Sequence, residues 1–454
     1  MPANHRQTRD IPQWAGPSAP VQGFWQKLFS SSAGSLLGLA LLKFGNPVTF
    51  DQLIGRPDGI WEMIFQPWPI AWGYVLLAGL VVLSVKSVRF LSSAPRWVVF
   101  LPLGWFGWQL VSGLFTIEPA LTRSTLLHFG SCVVWFYLGL FAFGQGPKAA
   151  PFWAPIVAAF LLVLWIAFEQ HYGGLEATRR YFYEQPDWQK YPPEYLKRMA
   201  SDRVFSTLVY PNALAGAILL YLPGVVAATW MLGRRLPMLS RSVATGLLAY
   251  SGVACMVWSG SKSGWLIALV MAVFALVQFK ITAKAKIAVA IAICVLGLAG
   301  FAMKFTTYFQ KGATSVAARF DYWRAALTIA KQNPVFGSGP GTFSVNYAKI
   351  KPPEAEMARL VHNDYLEQAC DSGIPGIAGY FTLVFGIIYF LYRERSLDRD
   401  PLAFMLWLGL LGWALQSFVE FPLYIPGLAW PSFALLGWSS GEVTSKSNRQ
   451  AVGQ

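Results

Sequence analysis

Apolar residues in this chain fall in blocks of about 20, not in the 3.6-residue stripe of an amphipathic surface helix. Blocks of that length match the roughly 30 Å hydrocarbon core of a bilayer. They predict an all-α polytopic membrane protein of about twelve transmembrane helices, at 31–48, 70–88, 97–115, 124–143, 152–170, 209–232, 243–259, 263–279, 286–303, 374–392, 402–420 and 423–440. The first is diluted by Lys43 and by several Ser and Gly, and the last is interrupted at Pro426 and Pro431, which a bundle tolerates when neighbours satisfy the freed backbone groups. Two long segments lie between spans, about 171–208 and 304–373, so the chain divides into a tail over 1–30, a bundle with two large loops over 31–440, and a tail over 441–454.

Polar residues orient the bundle. One set of short loops carries Lys86, Arg89, Arg96, Lys148, Arg234, Arg235, Arg241, Lys280, Lys284, Lys286, Arg393, Arg395 and Arg399, whereas the alternate short loops carry Arg56, Arg123 and Lys262. The positive-inside rule places the first set in the cytoplasm, both termini with it, and both long loops outside. The first 30 residues are polar, contain Pro, and read as a tail and not as a cleavable signal.

Composition agrees: 55% of residues are hydrophobic and 13% charged, and 20 Trp supply rings suited to the membrane interfaces. The net charge of +14 then reflects loop lysines and arginines, and no soluble basic domain is present to hold nucleic acid. Cys132, Cys255, Cys294 and Cys370 are scattered without metal-ligand spacing and read as small core hydrophobes. No carboxylate or His cluster suggests a metal or cofactor.

The second long loop carries helix punctuation. Thr314 or Ser315 can cap a helix running to Asn333, where Pro334 stops it; Gly337-Ser338-Gly339-Pro340-Gly341 then reads as a turn. Pro352-Pro353 with Glu354 predicts the start of a second helix ending at Gly373. On such a helix Arg359, His362, Asn363 and Leu366 share one face. On the first helix Arg319, Tyr322, Trp323 and Ala326 share a face, which reads equally as an interfacial anchor or as an anion site. Arg203 precedes Tyr210-Pro211-Asn212 just ahead of a span, and reads as a partner of Asp202 or a stop at the interface as well as a ligand-binding cation. Lys262, in the tight turn Ser259–Gly264, is a cation on the side where cations are scarce; the turn reads equally as a plain hairpin or as an anion-binding nest. Cations around one imidazole suit a phosphate-bearing substrate, since guanidinium forks bind phosphate oxygens and His can take a hydroxyl proton.

These residues resemble the O-antigen ligase and O-antigen polymerase superfamily of bacterial membrane glycosyltransferases. The resemblance rests on Arg203 with Pro211-Asn212, on the Ser259–Gly264 turn, and on Arg319-x-x-x-Trp323 with Asn333-Pro334-x-x-Gly337-x-Gly339-Pro340-Gly341. It extends to His362-Asn363-x-x-Leu366 and Gly373-Ile374-Pro375-Gly376. It implies a GT-C-like helical fold with a large helical periplasmic loop, in the bacterial inner membrane. It also implies a metal-independent, inverting transfer of a glycan from a polyprenyl-pyrophosphate-linked donor to an acceptor hydroxyl on lipid A–core, on another glycan or on protein. By position, Arg203 and Lys262 would hold the pyrophosphate and His362, kept neutral by cationic neighbours, would act on the acceptor hydroxyl. Arg319, Trp323, Asn363, Arg359 and Asn212 would bind substrate. The family usually has Arg where this chain has Lys262, which offers a point charge without a fork. Twelve spans also suit a transporter or flippase of lipid-linked glycans, but the spans are nearly free of ionisable residues at mid-membrane, where Lys43, Glu169 and Glu420 fall at or near span ends.

Overall fold

In the computed structural model every regular element among the described residues is helical. The described residues are 23–452 without 89–93, 145, 185–187, 191–195, 197–199, 209, 311–313 and 395–399. Arg89, Arg395 and Arg399, most of the tail 1–30, and residues 453–454 therefore lie outside them. The principal helices are α1 Phe24–Lys43, α2 Ile70–Ser84, α3 Arg96–Gly113, α4 Pro119–Tyr137, α5 Ala150–Glu169, α6 Pro211–Leu232, α7 Met238–Trp258, α8 Lys262–Ala275, α9 Ala283–Gln310, α10 Thr314–Gln332, α11 Phe343–Ile350, α12 Asp364–Phe381, α13 Ile387–Arg393, α14 Pro401–Gln416 and α15 Pro426–Val452.

Each of the twelve apolar blocks overlaps a helix, although 44–47 and 417–420 lie outside one. In hydrocarbon, a helix satisfies its own backbone groups, so apolar runs have no cheaper conformation. Five helical stretches are long and apolar enough to cross a membrane by length and composition: Pro119–Ala142, Ala150–Glu184, Pro211–Arg235, Ala283–Gln310 and Asp364–Arg393; Ile70–Ser84, Lys262–Ala275 and Pro401–Gln416 are shorter apolar helices. Starts are written locally: Pro119, Pro211 and Pro401 each occupy the first turn, where a missing N–H costs nothing, and Asp400 caps α14 by accepting from the Leu402 and Ala403 amides. Pro426 is likewise a first-turn residue of α15 and not a break, while Pro431 lies inside that helix.

The bundle packs α1 on α5, α6 on α14 and α4 on α15. Small residues let backbones approach: a Cβ at Gly409 of α14 would lie 2.2 Å from the Leu220 carbonyl oxygen of α6. By contrast α9 has one buried residue, Phe305, and its other apolar side chains face outward as a lipid-facing helix requires.

The segment from α10 to the start of α12 has a small core of its own, with Tyr322, Ala326, Ile329, Phe343, Tyr347, Val361 and Cys370 buried together. It is keyed to the bundle by the Gly-rich turn. Ser338 and Gly339 amides donate to the Cys370 and Asp371 carbonyls at 3.0 and 2.9 Å, and the Ser338 carbonyl accepts from Ile117 N at 3.1 Å. Gly337 has φ of +68° and a Cβ there would sit 2.3 Å from the Asp371 carbonyl carbon, so only glycine fits.

Helix placement here differs from expectation at one point that matters. Residues 351–363 are not helical; α12 starts at Asp364, capped by the Asn363 side chain, which accepts from the Leu366 amide at 3.0 Å. Pro352-Pro353 therefore opens no helix, and Arg359, His362, Asn363 and Leu366 do not share a helical face. An Asn cap satisfies an orphan amide that a Pro start cannot serve, and it wins the boundary. At Gly373 (φ +71°) the helix kinks and continues to Phe381 instead of ending.

The charge asymmetry predicts opposite sides for Lys349 and Arg235. Both are exposed. In a cysteine-free background, Lys349→Cys should react with an impermeant thiol reagent in intact spheroplasts, and Arg235→Cys should react only after lysis. The reverse pattern would invert the topology.

Candidate functional site

The turn that follows α14 carries Glu420, which is 3% exposed. Two bonds from one residue hold this turn: the Asp364 amide donates to the Ser417 carbonyl at 2.8 Å, and an Asp364 carboxyl oxygen accepts from the Leu423 amide at 3.0 Å. The start of α12 is thereby fastened to both sides of Glu420. His362, two residues earlier, has φ of +55°, a left-handed conformation uncommon for a side chain with a Cβ. Such strain persists where the surroundings over-determine it. Here the Val361 amide donates to Glu367 Oε2 at 2.9 Å on one side and the Asp364 amide is fixed on the other.

The result is a hydrogen-bonded pair, with His362 Nδ1 lying 3.0 Å from Glu420 Oε2. The imidazole also stacks on Tyr322 at 5.8 Å and meets Phe421 edge-on at 4.8 Å. The other Glu420 oxygen accepts from Arg319 Nη2 of α10 and from Asn212 Nδ2 of α6. Asn212 Oδ1 in turn accepts from Arg203 Nη2 at 2.6 Å, and Arg203 Nε donates to the Ser259 carbonyl at 2.8 Å. One chain of contacts thus runs from His362 through Glu420 and Asn212 to Arg203, with Arg319 branching from Glu420.

Burial pushes the Glu420 carboxyl up, but Arg319 and His362 outweigh it and hold it down at about 2. Burial, then Glu420, Arg319 and Tyr308, act on Arg203, with a net lowering that leaves a guanidinium still cationic.

Arg203, Asn212, Arg319, Arg359 and His362 all line one cleft of about 440 Å³. Arg359 is held at its rim by the Thr49 carbonyl at 3.1 Å and by the Phe50 ring, 4.7 Å from its guanidinium carbon. Three expected site residues stand apart from the lining. Asn363 is the cap of α12. Trp323 packs partly buried against the small core of the segment from α10 to α12, edge-on to Phe320. Lys262 is the first residue of α8, with its ammonium over the Tyr308 ring at 3.6 Å. The Ser259–Gly264 turn spends its polar groups on structure: Ser261 Oγ accepts from the Gly264 amide at 3.2 Å and the Ser259 carbonyl anchors Arg203.

Glu420 did not stand out in the sequence, where it reads as an acid at a span end. A signal was present, since an acid beside an outer loop otherwise rich in cations needs a partner to be buried. The charge nearest the imidazole is therefore an anion, where cationic neighbours were expected.

A family model described as O-antigen ligase matches residues 246–381, which include Lys262, Arg319, Trp323, Arg359, His362 and Asn363 but not Arg203, Asn212 or Glu420. An uncharacterised protein of Haemophilus influenzae is 29% identical over 161 residues, covering 30% of this chain. The match spans 40% of that relative's length. The family match supports the place of this chain in the O-antigen ligase and O-antigen polymerase superfamily.

Proposed function

We propose that this chain is a glycosyltransferase that moves a glycan from a polyprenyl-pyrophosphate carrier to an acceptor hydroxyl at the outer face of the bacterial inner membrane. The acceptor belongs to lipid A–core, to another lipid-linked glycan or to a protein. The observation that carries this reading is the bridge made by Glu420 between His362 and Arg319 within a cleft lined by three guanidinium groups.

In this reading Glu420 acts on His362 as a carboxylate acts in a triad. By accepting from Nδ1 it draws the ring proton there and makes Nε2 the basic atom. Nε2 takes the proton of the acceptor hydroxyl as that oxygen bonds to the anomeric carbon. The carbon–oxygen bond to the pyrophosphate breaks with its electron pair leaving on the phosphate, and attack opposite the leaving group inverts the carbon. Arg203 and Lys262 stabilise the growing charge, an electrostatic contribution of about 3 kcal/mol per well-placed group in a partly dry site. Arg319 Nε is buried without an acceptor among the described residues, and a phosphate oxygen is the kind of group that completes it. Arg359 at the rim would guide substrate, and fixed cations leave the pyrophosphate with no need of a metal.

Proteoliposomes containing purified lipid-linked glycan separate transfer from transport. A new glycosidic linkage is expected with wild type and with His171→Ala. With His362→Ala the rate should fall by about 10²–10⁴-fold at unchanged melting temperature. Movement of the carrier across the bilayer without new linkage would make this a flippase.

Lys262 gives a pH dependence. Burial, then Arg203 and Arg319, bring its pKa down to about 8. The ammonium is present below that value and is lost as pH rises through it. The donor kcat/KM should therefore fall about tenfold between about pH 7 and about pH 9. Lys262→Arg should remove this alkaline limb, and the same limb in Lys262→Arg would assign it to another group.

A further inference from the structure

Lys262 stands beside the cleft and not in its lining, and what holds it there is aromatic. Its Nζ lies 3.6 Å from the Tyr308 ring centre and 5.1 Å from that of Phe305. Both rings come from the outer end of α9. Along the 28 residues of that helix, Phe305 is the one buried residue, and it meets Trp265 of α8 edge-on at 6.4 Å. α9 is thus docked on α8 where it covers the lysine, and again where the Trp265 indole donates to the Gly297 carbonyl at 3.1 Å.

Tyr308 has a second set of contacts. Its hydroxyl lies 2.5 Å from Ser315 Oγ and accepts from the Val316 amide at 3.3 Å, in the first turn of α10. Ser315 lines the cleft, and its carbonyl accepts from Arg319 Nη1 at 3.4 Å. A single side chain therefore touches the ammonium with its ring face and the helix that carries Arg319 with its hydroxyl. A ring face attracts a cation most where water is scarce, and a ring gives no counter-charge that an incoming phosphate would have to displace.

We propose that Tyr308 is a positioning residue for donor binding, its ring holding the Lys262 ammonium in register with Arg319 so that both cations meet the pyrophosphate. The inference rests on the reading of Lys262 as a pyrophosphate cation. It differs from an ion pair in leaving the lysine charge uncompensated and available, and it gives an unfused point charge the fixed direction that an arginine fork would supply for itself.

The test is a double-mutant cycle on donor kcat/KM in proteoliposomes, with melting temperature as the folding control. Tyr308→Leu should lower donor kcat/KM about tenfold. Tyr308→Phe, which keeps the ring over the lysine but loses the hydroxyl contact with α10, should lose less than Tyr308→Leu does. In a Lys262→Met background, Tyr308→Leu should cost less than about twofold more. If Tyr308→Leu does not insert, Phe305→Leu is carried through the same cycle. An equal fall in kcat/KM with and without Lys262, or no fall at all, overturns the inference. Wild-type donor kcat/KM in Lys262→Met alone would instead overturn the pyrophosphate reading of the lysine.

Discussion

A carboxylate buried to 3% exposure must be paired and hydrogen-bonded, and Glu420 is held three ways, by the Arg319 guanidinium, the His362 ring and the Asn212 amide. Those partners come from three segments far apart in sequence: the middle of α10, the residue ahead of the α12 cap, and the first turn of α6. Leaving Glu420 unpaired would cost several kcal/mol, and so would leaving a buried guanidinium unpaired. Each partner therefore depends on the others being in place. This interdependence sets the cleft more firmly than any one contact, and it makes the same anion both the structural joint of the site and the orienter of its imidazole.

The surrounding scaffold uses backbone amides for the same end. Asp364, Glu367 and Asp371 accept from the amides of Leu423, Val361 and Gly341. They tie the turn after α14, the strand-like approach to His362 and the Gly-rich turn to one helix. Rigid fixing of the first contacts by a second layer is what holds a reacting geometry to fractions of an ångström. The left-handed backbone at His362 fits this pattern, because it aims a side chain where a regular helix would have carried it around a cylinder.

Much of this was legible in the sequence, for physical reasons that differ by element. Apolar runs have few options in lipid, so helices such as Ala150–Glu169 and Pro211–Leu232 fell within two residues of the expected starts. Arg203, Asn212, Arg319, Arg359 and His362 were each visible as cations, an amide or an imidazole in polar settings, and the fold gathers all five around one cleft. What could not be read was long-range pairing. Glu420 looked like a span-end acid because its partners lie 58, 101 and 208 residues away. The local choice at 352–364 was also misread, since Pro-Pro-Glu and Leu-Val-His-Asn-Asp both resemble helix starts, and tertiary bonds to Ser417 and Leu423 select the second. Lys262 and Trp323 lie outside the cleft lining.

The central claim is that Glu420 aligns His362 as an anion, and Glu420→Gln tests it most directly, because the amide keeps size and hydrogen-bonding capacity while losing the charge. The quantity to measure is kcat for glycan transfer from a polyprenyl-pyrophosphate donor, beside the melting temperature of the same preparation. The account predicts a fall in kcat of about 10²-fold or more with the protein still folded. A kcat within about twofold of wild type at normal melting temperature would contradict it, and would return Glu420 to the role of a structural counter-ion for Arg319.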